Sequence, residues 1–263
     1  MSRGLIFDSG VGGLSVTAAI RARLPRVTLD YAADDAFRPY GEKSPAQLEA
    51  RLPELLWTLR EMLGSDFIVL ACNTASTTAL PAIRAVLDVP IIGVVPAIKP
   101  AAKASETQCI GVLGTPGTVA HDYVDGLIED YAKGVDVHLK GSVALVAEAE
   151  AKLAGQYVNM ETLARELEGF QDLSPQIDQI VMACTHFPLL EAELSKIMGP
   201  DVTWVDSGDA IARRVESVMQ EAGLKAGDSQ ARQLAFTTGP DVGAQRQHIF
   251  QSYGFSRLVT LKA

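Results

Sequence analysis

Positive charge is scarce in this chain, and so are cysteine, histidine and tryptophan. The 263 residues carry 23 Lys and Arg against 32 Asp and Glu, a formal charge of -9. The basic residues are scattered, which argues against a nucleic-acid surface and leaves no basic anchor for a membrane. No apolar run reaches the length of a membrane-spanning helix. Residues 1–20 contain Asp8 and four glycines where an export signal needs an unbroken apolar core, so a cytoplasmic protein is expected. Three cysteines fit a reducing compartment. CxxC and HExxH spacings are missing, so no metal site is expected. The glycine-rich turn near the start lacks the GxGxxG order of a dinucleotide fold.

What is present is a compact α/β pattern. Hydrophobic residues make up 48% of the chain, enough for a sizeable core. Phe67-Ile68-Val69-Leu70-Ala71 reads as a buried strand, and it runs into Cys72-Asn73-Thr74-Ala75-Ser76, small polar residues that suit a helix start. Open α/β sheets gather ligands at such carboxyl strand ends, where turn amides and a helix dipole favour anions and thiolates. Ile180-Val181-Met182-Ala183-Cys184-Thr185-His186 repeats the design in the second half. One cysteine at a strand end is most often a small core residue. Two in equivalent settings point to an acid and a base facing each other across a cleft. Cys109, within Gln108-Cys109-Ile110-Gly111-Val112, reads as a structural residue of a strand entering the core.

In chain order, a strand at Gly4–Phe7 leads into the turn Asp8-Ser9-Gly10-Val11-Gly12-Gly13 and a helix whose inner stripe is Leu14, Ala18 and Leu24. Asp8 at that lip repels phosphate and suits an ammonium group. A strand over Val27–Ala33 and an irregular loop through Arg38-Pro39-Tyr40-Gly41 follow. Ser44-Pro45-Ala46-Gln47 forms a capping box for a long helix using Leu48, Leu52, Leu55, Leu56, Leu59 and Met62, with a kink expected at Pro53. Apolar spacing predicts the helix after Cys72 over about Ala79–Leu87, then a strand at Pro90–Val94. Pro96 and Pro100 mark the passage to a second cycle. There Gly114-Thr115-Pro116-Gly117-Thr118 takes the place of the first glycine turn, and Thr115 and Thr118 serve as helix caps or site residues. A stripe of Val119, Tyr123, Val124, Leu127, Ile128 and Tyr131 marks a helix. A strand at Val135–Leu139, a small-residue stretch holding Glu148 and Glu150, and a helix over Val158–Leu167 come next. After Cys184 the pattern predicts a helix over Leu189–Met198 and a strand at Val202–Val205. A helix from Ile211 to Gly223, a strand at Leu234–Thr237, a helix over about Val242–Ser252 and a strand at Leu258–Leu261 close the chain. Alternation at this spacing means parallel sheets. The expectation is two pseudo-symmetric α/β lobes, each a mainly parallel sheet flanked by helices, with the active site between them. Their bounds are 1–96 plus 207–263, and 97–206.

Phe7-Asp8-Ser9-Gly10-Val11-Gly12-Gly13, Pro39-Tyr40-Gly41, Ala71-Cys72-Asn73-Thr74-Ala75-Ser76 and Ala183-Cys184-Thr185-His186 together resemble the cofactor-independent aspartate/glutamate racemases, and glutamate racemases in particular. Val94-Val95-Pro96-Ala97, Asp206-Ser207-Gly208 and Thr237-Thr238-Gly239 extend the resemblance nearly end to end. It implies two-base inversion of glutamate with no cofactor and no metal, supplying D-glutamate for peptidoglycan. By resemblance Cys72 and Cys184 are the acid/base thiols, assisted by Asp8 and His186. Ser9, Tyr40, Gly41, Asn73, Thr74 and Thr185 join Asp8 and His186 as substrate contacts. Glu150 falls where the family has a glutamate, but Ser142-Val143 stands in place of the family's Cys-Pro pair before it, and Ala147 and Glu148 replace a proline and an apolar residue. The implied partner is a small acidic amino acid, and a homodimer is left open.

The residue types suit that chemistry. Inversion at an α-carbon needs a base on one face and an acid on the other, and a thiolate and thiol in a dry, anion-stabilising site serve. Amides and hydroxyls bind carboxylates, while Asp8 keeps the ammonium charged. The alternatives are a racemase of another acidic amino acid such as aspartate, or a two-lobed amino-acid binding protein without chemistry. A cysteine hydrolase using Cys184 and His186 leaves Cys72 unexplained. A dithiol redox protein would join Cys72 to Cys184.

Overall fold

The computed structural model describes residues 2–173, 176–225, 231–239 and 243–261. The chain divides into two compact units, Met1–Val94 with Gly208–Ala263, and Val95–Ser207. The first unit contains β1 (Arg3–Asp8), α1 (Leu14–Arg23), β2 (Thr28–Ala33), α2 (Pro45–Leu63), β3 (Phe67–Leu70), α3 (Asn73–Val86) and β4 (Ile91–Gly93). The second contains α4 (Ile98–Ala104), β5 (Cys109–Gly114), α5 (Pro116–Val119), α6 (Asp122–Tyr131), β6 (Asp136–Gly141), α7 (Ala144–Leu153), α8 (Met160–Leu167), β7 (Gln179–Ala183), α9 (Glu191–Met198) and β8 (Thr203–Val205). The chain then returns to the first unit with α10 (Gly208–Glu221), β9 (Leu234–Thr237), α11 (Ala244–Ser252) and β10 (Arg257–Thr260).

Every strand pair among the described residues is parallel, as the alternation of strands and helices predicts. The first sheet has the order β10-β9-β2-β1-β3-β4 and the second β6-β5-β7-β8. Removing β9 and β10 leaves the same order in both, which is the pseudo-symmetry expected from the repeated cysteine strands. In each sheet the winding reverses beside the first strand, between β1 and β3 and between β5 and β7. Ligands collect outside the carboxyl strand ends at such a reversal.

Side chains from α2 and α3 cover one face of the first sheet. Leu48, Leu52, Leu56 and Leu59 pack on Leu5, Phe7, Ile68 and Leu70, all of them buried. Burying each such leucine contributes about 2 kcal/mol. The capping box is present: Gln47 N–H donates to Ser44 Oγ, and Gln47 Oε1 accepts from Ser44 N–H. Met62, expected in the inner stripe, is 48% exposed, because the helix turns that position outward in its last turn. Pro53 lies inside one uninterrupted helix.

Three further expectations are corrected, in α1, α3 and α6. The inner stripe of α1 is Leu14, Thr17 and Ile20, flanked by Val16, whereas Ala18 is exposed. Thr17 is tolerated inside because its hydroxyl donates to Gly13 O at 2.9 Å. Helix α3 starts at Asn73, six residues before the apolar spacing indicates. Its inner positions are small and polar, Asn73, Thr74, Ser76 and Thr77, so hydrophobic periodicity does not mark them. The segment after Pro96 is helix α4, which accommodates Pro100 in its first turn, where no intrahelical N–H bond is lost. In α6 only Val124 of the stripe is fully buried, and Tyr123 and Tyr131 are over 40% exposed. The expected start of α11 at Val242 lies outside the described residues.

Candidate active site

In the first unit, β1 ends at Asp8 and β3 at Leu70, with Phe7 opposite Leu70 in register. That pairing sets the turn after β1 beside Cys72. Asp8 is fully buried, and its Oδ2 accepts N–H bonds from Gly10 at 3.2 Å and Gly13 at 3.1 Å. Gly13 is required there. A Cβ on it would lie 2.8 Å from Tyr31 Oη and 3.0 Å from the Cβ atoms of Ala71 and Asp8. Ser9 Oγ lies 3.8 Å from Cys72 Sγ.

Cys72 is outside any disulfide, 5% exposed, and the N-cap residue of α3 in an extended conformation. Its sulfur therefore stands at the positive end of a helix of 14 residues, where a thiolate is favoured. Asn73 and Thr74 follow, both 4% exposed, and Asn73 Oδ1 is buried without a hydrogen-bond partner. Ser76 Oγ ties this turn to the sheet, donating to Leu70 O and accepting from Val94 N–H.

Tyr40 and Gly41 lie in a short 3₁₀ turn. The Tyr40 hydroxyl is buried and donates to Asp34 Oδ2 at 2.7 Å. Asp34 also takes a two-pronged contact from Arg51, 2.7 Å on each prong, and a 2.6 Å bond from Thr238 Oγ1. Burial alone would raise the Asp34 pKa. The bonds from Arg51, Thr238 and Tyr40, with the Arg51 charge, overcome that and hold it below the ordinary carboxylate value. Burial, followed by the adjacent Asp34 charge, pushes the Tyr40 phenol well above its usual value, so Tyr40 stays a donor.

In the second unit, Gly114 lies opposite Ala183, which brings the turn after β5 beside Cys184. Cys184 is free and 6% exposed, and its Sγ is 3.9 Å from His186 Nδ1. His186 Nε2 faces Glu150 Oε1 at 3.0 Å. A carboxylate at Nε2 selects the tautomer protonated there, which leaves Nδ1 as an acceptor toward the sulfur. Glu150 reaches this place because the small-residue stretch Ala144–Leu153 is a helix, with Ala149 and Leu145 turned into the core. Thr185 is buried beside Cys184. Thr115 caps α5, accepting from Thr118 N–H at 3.3 Å, and the two hydroxyls are 3.0 Å apart.

Within the first unit, Asp8, Ser9, Cys72, Asn73 and Thr74 thus gather at one end of the sheet, with the Tyr40 network beside them. Within the second, Cys184, Thr185, His186 and Glu150 gather likewise. Sequence reasoning missed Asp34, Arg51 and Thr238. The available signal was a buried-strand ending Ala32-Ala33 followed directly by acidic residues. Cys109 is at the amino end of β5, at the opposite end of the strands from Cys184. Burial, then Asp136 and Asp178, raise its thiol pKa. Among the described residues, no helix is long and apolar enough to cross a membrane.

The sequence pattern of the Asp/Glu/Hydantoin racemase family matches residues 12–215. A glutamate racemase of Sphingopyxis alaskensis is 50% identical over 213 residues, 80% of each chain. One from Vibrio vulnificus is 46% identical over 217 residues, 82% of this chain and 81% of its own. The crystal structure of Escherichia coli glutamate racemase with L-glutamate and the activator UDP-MurNAc-Ala superposes with a TM-score of 0.93 at 41% identity, over 99% of this chain and 98% of that one. With such similarity along nearly its whole length, the chain belongs to the Asp/Glu/Hydantoin racemase family and, within it, to the glutamate racemases, which are amino-acid isomerases.

Proposed function

We propose that this chain interconverts L- and D-glutamate by a two-base proton transfer, with Cys72 acting on one face of the α-carbon and Cys184 on the other. The observation that carries the reading is the matched placement of two buried thiols, each just past the carboxyl end of a parallel strand at a winding reversal. Their surroundings differ. Cys72 has the Ser9 hydroxyl and the helix α3 terminus. Cys184 has the His186–Glu150 pair, in which Nδ1 accepts the thiol proton while Glu150 stabilises the imidazolium that forms.

The remaining groups supply charge. Asp8 and the unpartnered Asn73 Oδ1 are acceptors for the substrate ammonium, which stays charged and stabilises the developing carbanion. Amides and hydroxyls at Ser9, Thr74 and Thr185, with the turn at Tyr40-Gly41, bind the two carboxylates. The Escherichia coli relative's structure with L-glutamate supports this choice of substrate, and its activator UDP-MurNAc-Ala supports a role in making D-glutamate for peptidoglycan in the cytoplasm.

The test uses Cys72→Ser and Cys184→Ser with single enantiomers of glutamate and aspartate in deuterium oxide. Each variant should lose inversion, because a serine hydroxyl is too weak an acid to stand in for a thiol. Each should retain elimination from a β-substituted acidic amino acid with a good leaving group, the two variants consuming opposite enantiomers. Two variants that consume the same enantiomer, or one that racemises glutamate at the parent rate, would refute the two-base assignment.

A further inference from the structure

We propose that Cys109, Asp136 and His138 form a site for a thiophilic divalent transition-metal ion, zinc being the reference case, at the amino end of the second sheet. The three residues are far apart in sequence terms for a metal motif, and the strand register unites them. Cys109 pairs with Asp136 across the parallel β5–β6 ladder, and His138 is two residues further along β6. Alternation along a strand puts positions 109, 136 and 138 on the same face. One donor atom from each, a sulfur, an imidazole nitrogen and a carboxylate oxygen, all lie within 4.8 Å of one another.

A second observation points to a ligand. His138 Nε2 is shielded from solvent and has no hydrogen-bond partner, although Asp136 Oδ2 is 3.0 Å away. That approach is an ion pair only when the imidazole is protonated; with a neutral ring the two groups share a space without a hydrogen bond. Buried polar atoms of this kind call for an explanation, and a cation between them supplies one. Asp136 has no lysine or arginine partner among the described residues, and Asp178 is a second carboxylate acting on the sulfur. The surroundings are negative before any thiolate forms.

The donor set fixes the class of ion. Thiolate with imidazole and one carboxylate selects zinc-like ions over magnesium or calcium, which take oxygen ligands. Tetrahedral bonds of about 2.0–2.3 Å place donors about 3.3–3.6 Å apart. The Asp136 side chain is 64% exposed and free to swing inward, while solvent supplies the fourth ligand. Binding displaces the Cys109 proton to solvent. The strand β5 is six residues long, so this site is about 17 Å along the sheet from the Cys184 end. A metal here would clamp the edge strand β6 to β5 and take no part in proton transfer at the α-carbon.

Cobalt(II) titration of the full chain tests the site. The expected result is a thiolate-to-cobalt charge-transfer band in the near ultraviolet, accompanied by proton release and bleached by zinc. Cys109→Ser should abolish the band. His138→Asn, at a partly exposed position that tolerates change, should weaken cobalt binding about tenfold or more. The Cys72→Ser/Cys184→Ser double variant should keep the band, which separates this site from metal bound by the catalytic thiols. Absence of the band in the parent chain, its survival in Cys109→Ser, unchanged affinity in His138→Asn, or its loss in the double variant would each overturn the proposal.

Discussion

Arg51→Ala removes the cation on which the buried Asp34 carboxylate depends. In the folded chain Asp34 is inaccessible to solvent and Arg51 is 27% exposed, with both guanidinium contacts at 2.7 Å. Breaking a buried pair by deleting one partner costs about 3–5 kcal/mol, because the remaining charge is left uncompensated. Tyr40 and Thr238 still donate to Asp34, and the exposed side of Arg51 admits water, so the lower end, about 3 kcal/mol, is expected. For a unit of this size that is a fall of about 6–12 °C in melting temperature. Adding Asp34→Asn removes the stranded charge, so the double variant should lose about 2 kcal/mol less than the two single losses combined. The pH dependence provides a separate readout. Folding lowers the Asp34 pKa, so its contribution is complete above the ordinary value of about 3.9 and is lost as pH falls through the lower folded value. Burial is already the largest single influence, and without Arg51 only the Tyr40 and Thr238 bonds oppose it, so the pKa rises. Arg51→Ala should then lose less stability than the parent on acidification. Thermal melts between neutral and acid pH decide the matter. A shift within about 2 °C, or an additive mutant cycle, would refute the view that Arg51 compensates a buried charge.

Other perturbations have comparably specific outcomes. His186→Asn should lower kcat for glutamate inversion by roughly 10²-fold or more, read by circular dichroism, with Glu150→Gln smaller because Glu150 acts through the imidazole. Gly13→Ala should cost about 1–3 kcal/mol and depress activity, since its Cβ would press on Tyr31, Ala71 and Asp8 and shift an N–H that holds the Asp8 carboxylate. Leu52→Ala should cost about 2–5 kcal/mol in denaturant melts while sparing KM, because Leu52 lies wholly in the core under α2. Exhaustive dialysis against a chelator should leave racemisation intact; activity restored only by added metal or pyridoxal phosphate would contradict the two-thiol chemistry.

The elements that the sequence made legible were those with strong apolar contrast. The strands at Phe67 and Ile180, the capping box at Ser44 and the two Ala-Cys endings all stand where apolar patterning and cap chemistry put them. Helix α3 was misplaced at its start because its first two turns bury hydroxyls and an amide, a choice made for chemistry that no hydrophobic count detects. The stripe of α1 was misjudged because Thr17 bonds back to Gly13 O. In the candidate site, residues adjacent to a cysteine in sequence were readable. Arg51 and Thr238, which meet Asp34 only through tertiary packing, were not, and Glu150 was reached through the family resemblance and not through its contact with His186. The cross-strand cluster at Cys109 belongs to the same class, since linear spacing rules do not register partners joined by a ladder.

The interrupted path of the first unit has a consequence during synthesis. Strand β2 gains its outer neighbour only when β9 has been made: Tyr31, Ala32 and Ala33 pair with Ala235, Phe236 and Thr237, and Asp30 accepts from Leu234 N–H. All strands of the second unit, by contrast, come from one continuous stretch. At about 5–20 residues per second, roughly 7–28 s pass between completion of β4 and arrival of β9. Over that interval a nascent sheet presents an unpaired apolar edge, which is the surface that other chains join. The pace of translation through residues 95–233 therefore sets how long the newborn chain stays vulnerable to aggregation and open to chaperones.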